Sequence, residues 1–371
     1  MKKTWLKRTI RIAALVLAVL LLIAGIARGD RNYIAIKAFY TEPRDSMDII
    51  FLGASEAATD VSAVYAFERT GLTGYQYGLD SNLPSVYLPQ LQNILSRQSP
   101  QLIVVEVNGF LVGEDVDLYD ESIIRTYLDP TPLSRHKYDT LSRLELKGDL
   151  ITYLLPFINT HSQWEHPRSM LVNMLTQQQI AFRGYSLFKG YTTRPVQLRD
   201  EKERPLPGPE DKLPLGRPEV ETLFEEFVSY CQDNDVKVVF VRFPHLLASG
   251  QEVRAYQRFL TIREKLEDRN IPCLDLQECQ AEIGLTQADY YNDSHLNIYG
   301  QEKLTAYLMD RLCADYSLQA RTLSAAEQKR WKICVDYYHA LRERAVETMA
   351  DDAPFLLEEA PIVRDLRSHL K

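Results

Sequence analysis

At 371 residues the chain can bury a sizeable core, and its formal net charge of −8 makes a nucleic-acid partner a poor expectation, because phosphate binding wants a basic face. Hydrophobic residues make up 45% and charged residues 25%, which excludes a disordered, collagen-like or multi-span membrane chain.

The chain opens with Lys2, Lys3, Lys7, Arg8 and Arg11, then an apolar run from Ile12 to Ala27 that closes at Arg28. A spanning helix needs about 20 apolar residues. Ile10 and snorkelling of Arg11 and Arg28 extend the run toward that length. The basic flank predicts an uncleaved transmembrane anchor over residues 1–30, with a cytoplasmic N-terminus and the remainder extracytoplasmic in the cell envelope. No small-x-small cleavage site precedes Arg28.

Beyond the anchor, Asp48–Gly53 is a short apolar run closed by glycine, as in a buried parallel strand. A helix is expected at 58–71, a strand at Gly74–Gly78, a helix at Leu83–Arg97 and a strongly apolar strand at Gln101–Val107. Strand and helix in alternation predict a parallel sheet covered on both faces. From about 110 to 215 the rhythm lapses into Tyr- and Arg-rich stretches, a helical segment near 167–182 and the proline-dense Arg204–Glu210. This reads as an insertion carrying substrate-binding elements.

The alternation then returns. Pro218–Asp233 is an amphipathic helix, Val236–Arg242 a strand, 253–268 a helix, Ile271–Leu276 a strand and Gln301–Cys313 a helix. The expectation is one α/β domain over 31–320, a flavodoxin-like three-layer sandwich, followed by a charged helical appendage over 321–371. Five cysteines (Cys231, Cys273, Cys279, Cys313 and Cys334) form no CxxC and suit small buried hydrophobes, although a Cys273–Cys279 disulfide is open. His161 and His166 flank a tryptophan without a metal-site pattern, and no metal or cofactor motif is present.

Two segments carry chemistry. Ser55 follows the first strand in Phe51-Leu-Gly-Ala-Ser55, where ligands meet the carboxyl ends of a parallel sheet. Its hydroxyl suits nucleophilic attack; its ordinary alternative is to cap the next helix. The Gly-x-Ser-x-Gly elbow of α/β-hydrolases is absent. The second segment is Tyr290-Tyr-Asn-Asp-Ser-His295-Leu-Asn-Ile-Tyr-Gly300, which offers a base and an orienting acid just before the last helix of the α/β part.

Together, the strand-end Gly53-Ala-Ser55 and Asp293-Ser-His295-Leu-Asn297-x-x-Gly300 resemble the first and last blocks of the SGNH/GDSL hydrolase superfamily. The likeness extends to extracytoplasmic members, the D-alanine transfer protein of teichoic acid synthesis and the alginate-type O-acetyltransferases, which also carry one N-terminal anchor. It covers about residues 48–108 and 236–314. The resemblance implies Ser55 as nucleophile and His295 as base, with an oxyanion hole from the Ser55 amide, Gly78 and Asn108. Asn82 is an alternative to Asn108. The family's usual Asp-x-x-His would put the acid at position 292, where this chain has Asn292; Asp293, one residue later, is the favoured acid.

The resemblance implies an esterase or acyltransferase that acts through an acyl-enzyme on an acylated polysaccharide or cell-wall polymer, in the company of a multi-span membrane acyltransferase. The alternative is a non-catalytic SGNH-fold partner of such an enzyme. Arg242 and His245, at the end of another strand, are expected to meet an anionic substrate.

Overall fold

The computed structural model describes residues 2–25, 31–144, 146, 149–154, 156, 175, 179–199 and 201–349. His161, His166 and most of the helix expected near 167–182 lie outside the described residues.

Five short strands form one all-parallel sheet in the order β2-β1-β3-β4-β5: β1 (Ile49–Gly53), β2 (Gly74–Gly78), β3 (Leu102–Glu106), β4 (Val238–Arg242) and β5 (Cys273–Asp275). This is the flavodoxin-like strand order. The first four strands are buried along their whole length, which is why they read as apolar runs rather than alternations. Register places Gly53 beside Gly78 and Leu52 beside Val105, so the C-terminal ends of β1, β2 and β3 finish level.

Helices cover both faces. On one, α2 (Arg31–Phe39), α5 (Pro84–Leu95) and α9 (Pro218–Asp233) bury Ile36, Phe39, Leu91, Phe224 and Phe227 in the larger core. On the other, α12 (Ile298–Tyr316) packs Leu304, Leu308 and Leu312 against Ile49, Val104 and Val239. Between Asn108 and α9 lie α6 (Glu121–Leu128), α7 (Arg135–Arg143) and α8 (Leu150–Leu154). The last helix among the described residues, α13 (Ala325–Glu347), stacks Trp331 on Phe67 at 4.3 Å between ring centroids.

The helix expected over 58–71 is two helices, α3 (Ser55–Thr59) and α4 (Ala63–Thr70). Ser62 caps α4 by accepting from the Tyr65 amide at 3.2 Å. Gln76 of β2 pins the break: its amide donates to Ala58 O at 3.0 Å and Val61 O at 2.5 Å, and its carbonyl accepts from Ala63 N at 3.0 Å.

The N-terminal helix is α1 (Lys2–Gly25), and residues 26–30 of the expected anchor lie outside the described residues. Among the described residues, no helix is long and apolar enough to cross a membrane. The helix nevertheless presents Trp5, Leu6, Ile10, Ile12, Leu15 and Val16 to solvent. None of the five cysteines is in a disulfide, Cys273 and Cys279 included.

Candidate active site

In the 2-1-3-4-5 order the switch in winding direction falls between β1 and β3, and ligands of such sheets bind in the crevice outside those strand ends. Ser55 leaves the end of β1 and Asn108 the end of β3.

The turn that carries Ser55 is held from three sides. Ala54 N donates to Glu106 Oε2 of β3 at 2.9 Å. Asn82 donates to Gly53 O at 3.0 Å. From β2, Gly78 admits α3 against the sheet: a Cβ there would lie 2.6 Å from Ala58 N and 2.7 Å from Ala54 O. Only glycine leaves room for that approach.

Ser55 begins α3, yet its hydroxyl makes no capping bond; Ala54 is the capping residue and also makes none. Instead Ser55 Oγ lies 2.7 Å from His295 Nε2 and 3.2 Å from Glu56 Oε2. The two ends of the α/β part, 240 residues apart, therefore meet through one short hydrogen bond.

His295 sits on a loop fixed by its neighbours. Leu296 N donates to Asp60 Oδ1 at 3.0 Å, and Leu246 N to Asp293 O at 2.7 Å. Asn297 caps α12 by accepting from Tyr299 N at 3.1 Å, and its amide group donates to Ala288 O at 2.8 Å and Val196 O at 3.0 Å. Gly300 allows close approach, since a Cβ there would lie 2.4 Å from Asp289 O. The His-Leu-Asn-x-x-Gly motif thus has a structural reason at every fixed position. The Tyr291 ring stacks on the imidazole at 5.2 Å and 8°. Burial pushes the His295 pKa below its ordinary value, partly opposed by the Glu56 charge, which leaves a neutral imidazole as a proton acceptor.

The orienting group is Asn292, not the expected Asp293. Asn292 Oδ1 accepts from His295 Nδ1 at 2.9 Å and from Ser294 N at 3.0 Å. The second bond is an Asx turn, which aims the amide oxygen at the ring. It also selects the tautomer that leaves Nε2 free to accept the Ser55 proton. The Asp293 carboxylate instead accepts from Ser294 Oγ at 3.2 Å.

Beneath Ser55 lies a buried charge network with four carboxylates that sequence reasoning missed. Glu56 Oε1 accepts from Asn108 Nδ2 and lies 3.1 Å from His245 Nε2. The other face of His245, Nδ1, is 2.5 Å from Glu252 Oε2. Burial would raise the Glu56 pKa, but the hydrogen bond and positive charge of His245 outweigh it and hold the carboxyl at about 2. Burial and Arg242 act against a charge on His245, but Glu252 and Glu56 outweigh both and raise its pKa to about 9. Glu106 is pushed up to about 8 by burial and by the Glu56 charge. Asp60 is raised by the same two causes.

The remaining expected residues take different places. Arg242 and His245 are 0% and 1% exposed and do not face an anionic ligand. Buried carboxylates demand buried partners, and these two cations supply them. Arg242 donates to Asn108 Oδ1 at 2.8 Å, so the Asn108 amide is held between a guanidinium and a carboxylate. Asn82 is committed to Gly53 and to Gln90 Oε1, the latter at 2.7 Å. Gly78 lies at the end of β2 directly beneath α3. A cavity of about 480 Å³ adjoins the network, with Asn108, Gly113, Glu252, Arg254 and Arg258 in its lining.

Of the missed residues, Glu106 left a signal, as the one acid in the apolar run Leu102–Glu106. Glu56 directly follows the nucleophile candidate but is read as an ordinary first-turn helix acid. Nothing in the sequence marks Glu252.

No family model matches the chain, and no curated protein matches it. Among solved structures, a protein from Bacteroides fragilis NCTC 9343, provisionally described as an acylhydrolase, is similar at 10% identity. The match covers 75% of this chain and 95% of that one, with a TM-score of 0.35. A likeness of that grade carries no argument about function.

Proposed function

We propose that this chain is a serine esterase or O-acyltransferase of the SGNH type, acting on acyl groups of a cell-envelope polysaccharide or related polymer. The observation that carries the proposal is the 2.7 Å contact between Ser55 Oγ and His295 Nε2 at the switch point of a parallel sheet. His295 takes the Ser55 proton as the oxygen attacks an ester carbonyl, and Asn292 holds the ring in the accepting tautomer. The imidazolium returns the proton to the leaving alkoxide. Water or a sugar hydroxyl, activated in turn by His295, then releases the acyl group from Ser55. The Ser55 amide opens α3, where first-turn N–H groups have no intrahelical partner, and is available to a developing oxyanion. The exposed apolar side chains and basic residues of α1 support association with a membrane surface, with the catalytic domain outside the cell.

A second reading, a non-catalytic partner of a membrane acyltransferase, is favoured by one observation: His295 Nδ1 faces a neutral amide where the family has a carboxylate. Turnover of p-nitrophenyl acetate separates the two. The enzyme reading expects hydrolysis that falls at least 100-fold in Ser55→Ala, by the size of nucleophile effects in serine hydrolases, roughly 10⁴ or more. No turnover by the parent chain, or an unchanged rate in the variant, favours the partner.

A further inference from the structure

We propose that Glu56 is the catalytic carboxylate of this site: it supplies, from the nucleophile's own helix, the negative charge that Asn292 does not supply from behind the imidazole. This rests on Ser55 and His295 acting as nucleophile and base. When the proton moves from Ser55 Oγ to His295 Nε2, the half-buried ring becomes a cation. An unpaired buried cation is costly. Asn292 can hold its geometry but adds no charge.

Among the described residues, the groups that face His295 are few. Tyr291, Asn292 and Asp293 come from its own loop, with the Asp293 carboxylate turned to Ser294. Asp80, after β2, is engaged by Arg31 of α2, with Arg31 Nε 3.0 Å from Asp80 Oδ2. His245, after β4, is a cation, and Glu252 of α10 (Gly250–Glu267) is the acceptor for its Nδ1. That leaves Glu56 of α3, whose Oε2 is 3.2 Å from Ser55 Oγ, the atom from which the proton departs.

The surroundings keep Glu56 ionised and fixed. Its Oε1 accepts from Asn108 Nδ2 and sits 3.1 Å from His245 Nε2, and Glu56 is 1% exposed. Oε2 is left to the reacting serine. His245 and Glu252 therefore position the carboxylate, while Glu56 itself touches the reacting oxygen. No electron pair or proton is transferred to Glu56, which stays an anion throughout. Its charge lowers the energy of the imidazolium state.

The test is the rate of fluorophosphonate labelling of the full chain against pH for the parent, Glu56→Gln, Asn292→Asp and the double variant, with thermal unfolding as a control. Glu56→Gln is expected to label roughly 10- to 100-fold more slowly. Its acid limb should move to lower pH, because the anion that raises the His295 pKa is gone. Adding Asn292→Asp to Glu56→Gln should restore at least tenfold of the loss by returning a carboxylate to the other side of the ring. A parental rate and unmoved acid limb in a folded Glu56→Gln, or no rescue in the double variant, overturn the proposal. Should Glu56→Gln fail to fold, Asn292→Asp alone decides. A gain under threefold fits a charge already supplied, and any larger gain shows that it was missing and overturns the proposal. Failure of the parent to label at Ser55 overturns the Ser55–His295 reading, and this one with it. Labelling of the parent with any of the adverse results above overturns the role of Glu56 alone.

Discussion

Gly78→Ala probes how the fold places the nucleophile without touching a reacting atom. The new Cβ would stand 2.6 Å from Ala58 N, 2.7 Å from Ala54 O and 2.9 Å from the Ala57 carbonyl carbon, all backbone atoms of the α3 turn. Ordinary contact begins near 3.4 Å, so α3 must back away from β2 by about 0.8 Å or the sheet edge must yield by as much. Overpacking of this kind costs about 1–3 kcal/mol, a fall of several degrees in Tm for a chain of this size. The chemical penalty comes on top of this. Ser55 opens α3 and rides with it, and a displacement near 1 Å from attack geometry costs roughly 100-fold in rate. Fluorophosphonate labelling and thermal unfolding, measured on the same preparation, read the two effects. A parental labelling rate in Gly78→Ala refutes the claim that β2 sets the position of the nucleophile through this contact.

Other outcomes follow from the same geometry. Asn292→Ala removes the acceptor of the Nδ1 proton and is expected to slow labelling by roughly 100-fold or more with a modest change in Tm, whereas Asp293→Ala should stay within a few-fold of the parent. The acid limb of labelling should lie below the ordinary histidine value of about 6.5, because burial depresses the His295 pKa; an acid limb well above 6.5 contradicts the assignment. Stability should fall as pH rises from about 6.5 to 9. His245 and Glu106 both hold protons more tightly folded than unfolded, with folded pKa values of about 9 and about 8, so their contributions are lost as pH climbs through those values. A Tm that rises across this window, or is flat, counts against the buried network as described.

The sheet was legible because its first four strands are buried on both faces and stand out as apolar runs; Gly74–Gly78 and the helix Pro218–Asp233 occupy the residues expected. The break between α3 and α4 was not, because it depends on Gln76, on a different strand, satisfying three backbone groups of the turn. Nor could spacing choose between Asn292 and Asp293. The decision is made by the Asx turn from Asn292 Oδ1 to Ser294 N, which points one side chain at the ring and leaves its neighbour outside. Arg242 and His245 looked like ligand-binding residues because a charged pair at a strand end ordinarily meets solvent. Glu56 and Glu252, the partners of His245, arrive from helices 189 and 7 residues away, and Glu252 also lies 3.7 Å from Arg242.

The central claim is that Ser55 is a nucleophile activated by His295 across the 2.7 Å contact. Fluorophosphonate labelling of the full chain followed by peptide mapping tests it most directly. The modification is expected on Ser55 alone, and it should be lost in a folded His295→Ala. Modification of any other residue, or undiminished labelling of Ser55 without the histidine, would contradict it.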